Sequence, residues 1–253
     1  MGIIGGKLAA YLLKASQNVS RWYYGGESKL MDGSSYAGRS KMEVLLGSGI
    51  WSHIKDRSVL DFGCGFGDEV IEIASHGAAH AVGLDIDKAY LEVARTKVNN
   101  LPCKFVSQTN EKFDVIFSID AFEHYNDPDG VLRQMANLLK PDGKVIISFG
   151  PTWYHPLGGH LFSIFPWCHL VFSEQALIRL HPNFIVNRAR NFQDFGLNQM
   201  TVHRFIRTVE ESSPFRFEKF EAVPIRALKP IANRLTREFT TSIVRCVLEL
   251  KDN

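Results

Sequence analysis

The 253-residue sequence predicts an α/β fold built on a doubly wound sheet of seven strands, mostly parallel, with an antiparallel last strand. Apolar runs alternate with helical patterns from Ser58 to Phe149, and a glycine-rich turn joins the first run to the first helix. Two more strand patterns, close enough to pair as an antiparallel edge, follow near the end of the chain. Such alternation predicts parallel strands joined by right-handed crossovers.

The parallel strands follow one another as short, strongly apolar segments. They are predicted at Ser58–Phe62, Ala81–Asp85, Lys104–Ser107, Phe113–Ile119 and Lys144–Phe149. The fourth strand is apolar almost throughout, which is typical of a strand buried on both faces. A turn is predicted at Lys140–Gly143, before the fifth strand, because Pro-Asp-Gly is a frequent turn composition.

The predicted helices have recognisable starts and ends. The first runs from Asp68 to His76 and stops at Gly77, a favourable residue after a helix C-terminus. The second places Leu91, Ala94 and Val98 on one face. The third begins at Asp127-Pro128, with aspartate as the N-cap and proline in the first turn.

Three segments lie outside this alternation. Residues 1–50 are predicted to form an N-terminal helical lid, with the main domain at 51–253. An aromatic, histidine-rich insert covers about 151–213, with helical patterns near Ser173–His181 and Asn198–Glu211. The last two strands are predicted at Phe215–Val223 and Ser242–Leu250, with a short helical stretch at Ile225–Leu235 between them.

The turn after the first strand carries the strongest functional signal. Asp61 ends the strand, and glycines follow at positions 63, 65 and 67. A dinucleotide-binding turn, G-x-G-x-x-G, requires glycine at position 68, where this sequence has Asp68. An aspartate at a helix N-terminus would repel a pyrophosphate. The spacing therefore favours a nucleoside ligand that has no phosphate and carries a positive centre.

This turn resembles motif I of the class I S-adenosylmethionine-dependent methyltransferases. The resemblance extends over about residues 58–150, through Val82–Asp87, Phe113–His124 and Leu138–Lys144; the last of these is similar to the family's LLKPGG turn. It implies a Rossmann-like sheet and the small-molecule type of enzyme. It also implies S-adenosylmethionine as cofactor, bound by the residues of the turn: Asp61, Gly63, Cys64, Gly65 and Gly67.

Other cofactor contacts are expected along the same edge of the sheet. Asp85 is placed to accept the ribose hydroxyls, as an acid does in NAD sites, and Ile86 to pack on the adenine. Many family members carry an acid after strand three, but this sequence has Gln108 there. Asp120 adds negative charge near the sulfonium, and Arg39 in the lid is a candidate for pairing with the cofactor carboxylate.

Candidate catalytic and substrate residues follow strands four and five. His124 is a candidate base, since histidine titrates near neutral pH; a loop histidine bonded to backbone is the alternative. Trp153, Tyr154, His155 and His160 are expected to line an apolar acceptor pocket. The spacing of His155, His160 and His169 matches no helical metal-binding pair, and no metal is predicted.

Composition limits the partners. The net charge of +2 and the lack of a basic stripe argue against nucleic acid and favour a small-molecule substrate. Four scattered cysteines predict reduced thiols in the cytoplasm, and no apolar run is long enough to span a bilayer. Membrane contact by the N-terminal helix is disfavoured, and docking of residues 161–172 on a membrane or partner stays open. An aminopropyl transferase, a non-catalytic binding protein and an NAD oxidoreductase remain as alternative functions.

Overall fold

The computed structural model describes residues 38–159, 166–180 and 190–251, together with the single positions Gly5 and Leu12. Its helices in these ranges are α1 (Lys41–Leu46), α2 (Ile50–Ile54), α3 (Asp68–Ser75), α4 (Lys88–Thr96), α5 (Pro128–Leu138), α6 (Cys168–Val171), α7 (Glu174–Leu180), α8 (Val202–Arg207) and α9 (Arg237–Thr240). The strands are β1 (Ser58–Phe62), β2 (His80–Leu84), β3 (Cys103–Val106), β4 (Phe113–Ile119), β5 (Leu139–Phe149), β6 (Phe215–Pro224) and β7 (Thr241–Leu250).

The described strands form one seven-stranded sheet in the order β3-β2-β1-β4-β5-β7-β6. β1 pairs in parallel with β2 and β4, and β7 runs antiparallel between β5 and β6. This confirms the predicted fold, including the antiparallel last strand. The order reverses on either side of β1, so a crevice opens at the carboxyl ends of β1 and β4, where such sheets bind their ligands.

Apolar side chains cover both faces of the sheet. One face carries Leu60, Ile116 and Phe149 against α5 and α8, and the other carries Val59, Val115 and Phe117 against α1 to α4. Burial on both faces explains why these strands read as continuous apolar runs in the sequence. The central strands are thereby held firmly, and the loops at their carboxyl ends rest on a rigid support.

Three helix starts are well defined, and the one at Asp127 has its predicted aspartate cap. Gly67 precedes α3 with a left-handed φ of 79°. The side chain of Asp87 accepts a hydrogen bond from Ala89 N at the start of α4, and that of Asp127 accepts one from Gly130 N at the start of α5. Each cap satisfies a backbone donor that the first helical turn leaves without a partner.

β5 begins at Leu139, earlier than the predicted Lys144, so the predicted turn at Lys140–Gly143 lies within the bounds of this strand as an irregular stretch. Leu139 pairs with Phe113 at the start of β4, and the Lys140 ammonium lies 2.8 Å from an oxygen of Asp114. Between these contacts and Lys144, which lies opposite Val115, the Pro-Asp-Gly sequence has no partner on β4. The register of the two strands shifts between Phe113 and Val115, which absorbs the irregular residues.

Outside the alternating strands and helices, the observed helices are shorter than the predicted ones. The pattern at Asn198–Glu211 becomes the shorter α8, begun by a Thr201 cap and followed by a π-helical turn at Thr208–Ser212. The pattern at Ile225–Leu235 becomes a 3₁₀ helix at Arg226–Ile231. Most of the predicted lid at 1–50 lies outside the described residues, and the division into lid and main domain stays a prediction. No helix in the described part of the chain is long and apolar enough to cross a bilayer.

Candidate functional site at the carboxyl ends of β1, β2 and β4

The glycine turn after β1 is held by its own backbone and by the end of β2. The amides of Gly63 and Cys64 both donate to the Leu84 carbonyl, at 2.8 and 3.1 Å, and Gly67 N donates to the Cys64 carbonyl at 2.8 Å. The three glycines have φ values of 83°, 48° and 79°. This left-handed backbone is unfavourable for residues with a side chain, so the conformation accounts for glycine at alternate positions.

The glycines differ in what surrounds them. A Cβ atom on Gly67 would stand 2.4 Å from the Phe105 ring and 2.9 Å from Ala94 Cβ, and one on Gly63 would stand 2.6 Å from the Tyr125 hydroxyl. A Cβ atom on Gly65 would meet no atom within 4 Å. Two of the glycines therefore permit close internal packing, and Gly65 borders open space in which a ligand can approach the backbone.

Asp85 connects the glycine turn to the end of β2. One of its carboxylate oxygens accepts from Gly65 N and the other from Asp87 N, both at 2.8 Å. Ile86 lies between these anchored residues and is 91% exposed. The carboxylate thus stands directly beside the open side of the turn, with an apolar side chain displayed next to it.

Carboxyl groups cluster near the turn, and two of them contact Lys41. The ammonium of Lys41, from the first turn of α1, lies 3.2 Å from an oxygen of Glu69 and 3.0 Å from an oxygen of Asp120. Asp61 and Asp85 complete the group; Asp61 is only 3% exposed and interacts electrostatically with Glu69, Lys41 and Asp85. Among the described residues the carboxyl groups of this corner outnumber the ammonium of Lys41, which favours a cationic ligand.

Burial and mutual repulsion shift the ionisation of this group. Burial raises the pKa of Asp61 well above its usual value, the carboxylate of Glu69 raises it further, and Lys41 opposes the shift. Burial likewise raises the pKa of Asp120 against the opposing influence of Lys41. For Lys41 burial works against the charge, but Asp120 and Glu69 more than offset it, so its pKa is raised and the ammonium stays charged. A bound cation would further stabilise the ionised carboxylates.

The negative charge of Asp68 is offset by a nearby lysine, which the sequence did not reveal. It is the first residue of α3, as predicted, but its carboxylate lies 2.6 Å from the Lys97 ammonium and is largely exposed. The Lys97 charge offsets the repulsion that Asp68 would exert on a phosphate. Repulsion of a dinucleotide's phosphates is therefore expected more from Asp61, Glu69 and Asp85 than from Asp68.

The loop after β4 is fastened on two sides. Asp120 begins it with a φ of 48°, and its amide donates to the Ser148 carbonyl at 2.8 Å. The Tyr125 hydroxyl donates to the Phe62 carbonyl at 2.7 Å, which ties the loop to the end of β1. Nδ1 of His124 donates to the Gly196 carbonyl at 2.6 Å. This bond places the acceptor lone pair of a neutral His124 ring on Nε2.

Glu123 is the most deeply buried carboxyl of this loop, at 4% exposed. Its Oε1 accepts from Gly150 N at 3.3 Å, and Oε2 has no hydrogen-bond partner. Burial, together with the nearby Asp120 carboxylate, raises the pKa of Glu123 to about 8. At neutral pH this side chain is therefore mostly protonated, and it sits where the loop after β4 meets the beginning of the insert.

Glu123→Gln is expected to change how stability depends on pH. The unfolded carboxyl titrates near its ordinary value of 4.5 and the folded one near 8. Folding of the wild type therefore retains a proton that the unfolded chain has lost, and stability falls as pH rises between these values. The glutamine variant lacks this titration and should gain up to about 1.4 kcal/mol per pH unit relative to wild type within that window. Urea unfolding from pH 5 to 8 measures the difference.

An exposed carboxyl provides the control for this measurement. Glu92 is exposed on α4. The Glu92→Gln variant should show the same pH dependence of the free energy of unfolding as the wild type. Parallel wild-type and Glu123→Gln stability curves across this pH range would show that Glu123 is ionised in the folded protein.

The first residues of the insert form an aromatic and histidine-rich turn. The Trp153 ring packs against His169 and Phe192, with ring centroids 4.5 and 5.3 Å apart, and the Tyr154 ring lies 5.0 Å from Phe239. Nε2 of His169 donates to the Trp153 carbonyl at 2.5 Å, and its Nδ1 accepts from Gly159 N. His169 is thus a structural residue that closes the turn.

His155 is held in a similar way. Its Nδ1 accepts from Leu157 N at 2.9 Å, and burial lowers its pKa to about 4, as it does for His169. Both imidazoles are therefore neutral near pH 7. His160 lies outside the described residues. Among the residues that are described, no group of histidine, cysteine, aspartate or glutamate side chains is arranged to hold a metal ion.

The remaining predicted contacts lie further from the turn. Gln108 is exposed beyond β3, where it borders an open cavity of about 650 Å³ with Val106 and Thr109. Arg39 is exposed just before α1. The thiol of Cys64 is buried, and both its amide and its carbonyl are used inside the turn, so this residue shapes the backbone. Direct cofactor contacts by these three residues stay predictions.

Sequence reasoning overlooked two residues that organise the site. Lys41 is distant in sequence from the glycine turn, and the only local sign of its position is Ser40, whose side chain caps α1. Tyr125 follows the Phe-Glu-His sequence, and its hydroxyl also lies 3.0 Å from Ser118 Oγ. A buried polar ring beside a charged loop is a signal for such a tether, but its partner at Phe62 is visible only in three dimensions.

Comparison with known proteins gives this edge of the sheet a chemical context. Residues 60–147 match the model of the Methyltransferase domain family. A ubiquinone biosynthesis O-methyltransferase from Neisseria meningitidis is 37% identical over 106 residues, covering 38% of this chain and 44% of that protein. One from Aeromonas salmonicida is 35% identical over 102 residues, covering 36% and 42%. The chain thus spans less than half the length of these curated relatives.

The fold is also found among solved structures. An S-adenosylmethionine-dependent methyltransferase from Mesorhizobium loti superimposes with a TM-score of 0.51 at 19% identity, covering 78% of this chain and 92% of that one. At this identity the likeness concerns the fold. It extends across the sheet and beyond the segment that the family model matches.

The residues present fit the cofactor of this family, S-adenosylmethionine. The turn offers the open space next to Gly65, and the surrounding carboxyl groups outnumber the one ammonium of Lys41. Asp85 is fixed by two backbone amides beside that space. Residues 60–147 therefore match a methyltransferase domain, and they lie on a sheet with the strand order expected from the resemblance to the class I S-adenosylmethionine-dependent family.

Proposed function

We propose that this protein transfers the methyl group of S-adenosylmethionine to a small apolar or aromatic molecule, most readily to a hydroxyl oxygen. The observation that carries the proposal is the acidic corner around the glycine turn, opening on the same edge of the sheet as the aromatic insert. The names of the two curated relatives, both O-methyltransferases, support oxygen over nitrogen or carbon as the acceptor atom. The four cysteines form no disulfide bonds, which supports a reducing, cytoplasmic location.

The cofactor, when bound, supplies a methyl group activated by a sulfonium. The chain's own residues would hold it. The backbone at Gly63, Gly65 and Gly67 gives close approach, Asp85 accepts from the ribose, and Ile86 offers an apolar surface for the adenine. Asp61, Glu69 and Asp120 stabilise positive charge, while Lys41, with Arg39 near it in sequence, is suited to a carboxylate.

The acceptor would be held by the insert. Trp153 and Tyr154 are half-buried, follow shortly after the end of β5, and pack against the rings of His169 and Phe239. His155, being neutral, adds no charge that would repel an apolar molecule. An aminopropyl transferase would need carboxylates here to bind a polyamine, and residues 151–169 contain none. This composition favours the apolar acceptor.

One side chain after β4 is suited to take the proton that a hydroxyl loses. His124 presents Nε2 as its acceptor when Nδ1 donates to Gly196, whereas the buried Glu123 carboxyl, whose pKa is raised to about 8, is mostly protonated at neutral pH. Correct placement of acceptor and methyl group supplies much of the rate in such a displacement. His124 is retained as the candidate base because its loop borders both the turn and the insert.

Titration calorimetry tests the cofactor first. We expect the folded protein to bind S-adenosylmethionine and not NAD, because the acidic corner favours a cation and disfavours a pyrophosphate. Methyl transfer from labelled S-adenosylmethionine is then measured with a panel of phenols, amines and activated carbon acids. Binding without transfer to any acceptor would favour a non-catalytic binding protein, and binding of NAD alone would refute the proposal.

A His124 variant tests the base. His124→Gln is expected to lower kcat with the best acceptor by about 10²-fold, and to remove the acidic limb of its pH profile. Cofactor affinity and melting temperature should stay close to those of the wild type. A loss of stability with an unchanged pH profile would instead assign His124 to holding the Gly196 segment in place.

A further inference from the structure

The connection between β6 and β7, residues 225–240, displays large apolar side chains to solvent. Leu235 is 93% exposed, Ile231 57% and Phe239 48%. A single exposed leucine is ordinary on a protein surface, but three large apolar residues within nine positions of one short connection are not. They mark this segment as a contact surface.

The same segment is strongly basic. It carries Arg226, Lys229, Arg234 and Arg237, and its one acid is Glu238. The carboxylate of Glu238 is turned inward, where it accepts from Val202 N and His203 N at the start of α8. Three of the cations, Lys229, Arg234 and Arg237, line an open cavity of about 370 Å³, and none of them pairs with a carboxylate in the described chain.

Local hydrogen bonds fix the exposed residues in place. Oδ1 of Asn233 accepts from Leu235 N at 2.8 Å and from Thr236 N, and the Thr236 hydroxyl donates to the Ile231 carbonyl at 2.6 Å. The connection is therefore a closed, preorganised loop. Leu235 is held out in solvent by this loop, and docking it would require little ordering of the backbone.

The segment lies at the edge of the sheet where the candidate site opens. The Thr152 hydroxyl donates to the Thr241 carbonyl at the start of β7, and the Phe239 ring contacts Tyr154 in the insert. Trp167, 36% exposed, donates from its indole nitrogen to the Tyr154 carbonyl. Exposed aromatic, aliphatic and cationic residues thus adjoin the predicted acceptor pocket on one side of the molecule.

We propose that residues 225–240, together with Trp167, form a docking surface for an anionic lipid bilayer. Apolar side chains beside unpaired cations match the two components of such a surface, acyl chains and phosphate-bearing headgroups. A protein partner would need an apolar groove lined with acidic residues. A bilayer offers acyl chains for the apolar side chains and anionic headgroups for the cations without such a groove. The proposal does not depend on methyl transfer, since vesicle binding is measured without cofactor or acceptor.

Co-sedimentation of the full chain with vesicles tests the surface. We expect binding to mixed phosphatidylcholine and phosphatidylglycerol vesicles, weaker binding to phosphatidylcholine alone, and a decrease with added salt. Arg234→Glu combined with Arg237→Glu should weaken binding at least about tenfold, since each basic residue near an anionic surface contributes measurably. Leu235→Ser, at an almost fully exposed position, should weaken it at least about threefold without lowering the melting temperature.

Matched charge reversals on the opposite edge of the sheet provide the control. Lys55→Glu combined with Arg57→Glu changes the net charge equally, just before the start of β1, and should leave vesicle binding nearly unchanged. Equal losses in both double variants would refute the proposed surface, as would a folded wild type that binds neither vesicle. A concentration-dependent dimer that Leu235→Ser dissociates, without vesicle binding, would also overturn the proposal.

Discussion

Gly67→Ala is expected to lower the free energy of unfolding by about 3 kcal/mol, and the melting temperature by about 10 °C. Two effects combine. The φ of 79° places an alanine in a backbone conformation that costs about 1 kcal/mol or more. Its Cβ atom would also stand 2.4 Å from the Phe105 ring, which is buried between α4 and the sheet and has little room to move. Thermal and urea unfolding measure the loss.

Gly65→Ala separates folding from ligand binding at the same turn. Its φ of 48° carries a backbone cost of about 1 kcal/mol, but its Cβ atom would meet nothing within 4 Å. We therefore expect a small loss of stability and a loss of S-adenosylmethionine affinity of at least about tenfold, or about 1.4 kcal/mol. If the alanine at position 65 leaves the affinity unchanged, the open space beside it is not the cofactor site.

Asp85→Ala is expected to weaken cofactor binding by removing a side chain at the site. The substitution removes the group proposed to accept from the ribose, and it leaves Gly65 N and Asp87 N without their present acceptor. Affinity for S-adenosylmethionine should fall at least about tenfold, about 1.4 kcal/mol. Calorimetric titration gives the affinity, and urea unfolding gives the accompanying loss of stability, about 1 kcal/mol for each lost bond.

Asp87→Ala is the matched control for Asp85. Its side chain accepts from Ala89 N and caps α4, so its removal should cost about 1 kcal/mol of stability with little change in cofactor affinity. Equal affinity losses in the two variants would show that the loop as a whole, and not the Asp85 carboxylate, matters for binding. An unchanged affinity in Asp85→Ala would remove this residue from the site.

The parallel half of the sheet was predictable because strands buried on both faces consist of continuous apolar residues. β1 and β4 begin and end at the predicted residues, since each is an apolar run bounded by polar turns. β5 was predicted too short because Pro-Asp-Gly is typical of turns. The pairing of Leu139 with Phe113 and the Lys140–Asp114 ion pair place the start of β5 before that sequence, and local composition reveals neither contact.

Site residues could be predicted from the sequence when they are neighbours in the chain or follow the end of a predicted strand. The glycine turn and Asp85 are such residues. Lys41, Glu69 and Tyr125 do not: their roles arise from contacts between α1, α3 and the loop after β4, which the chain reaches by separate routes. The charge on Asp68 was correctly located but its effect was overestimated, because Lys97 approaches from a different helix.

The bonds between the loop after β4 and the segment at 196–198 have a consequence for protein engineering. Asn198 donates to the carbonyls of Glu123, Phe122 and Tyr125, and His124 donates to that of Gly196. A chimera that transplanted an entire insert from another methyltransferase would sever all of these bonds. Grafts that end before Gly196 keep these native hydrogen bonds. The segment that can be exchanged to change acceptor choice is therefore shorter than the whole insert.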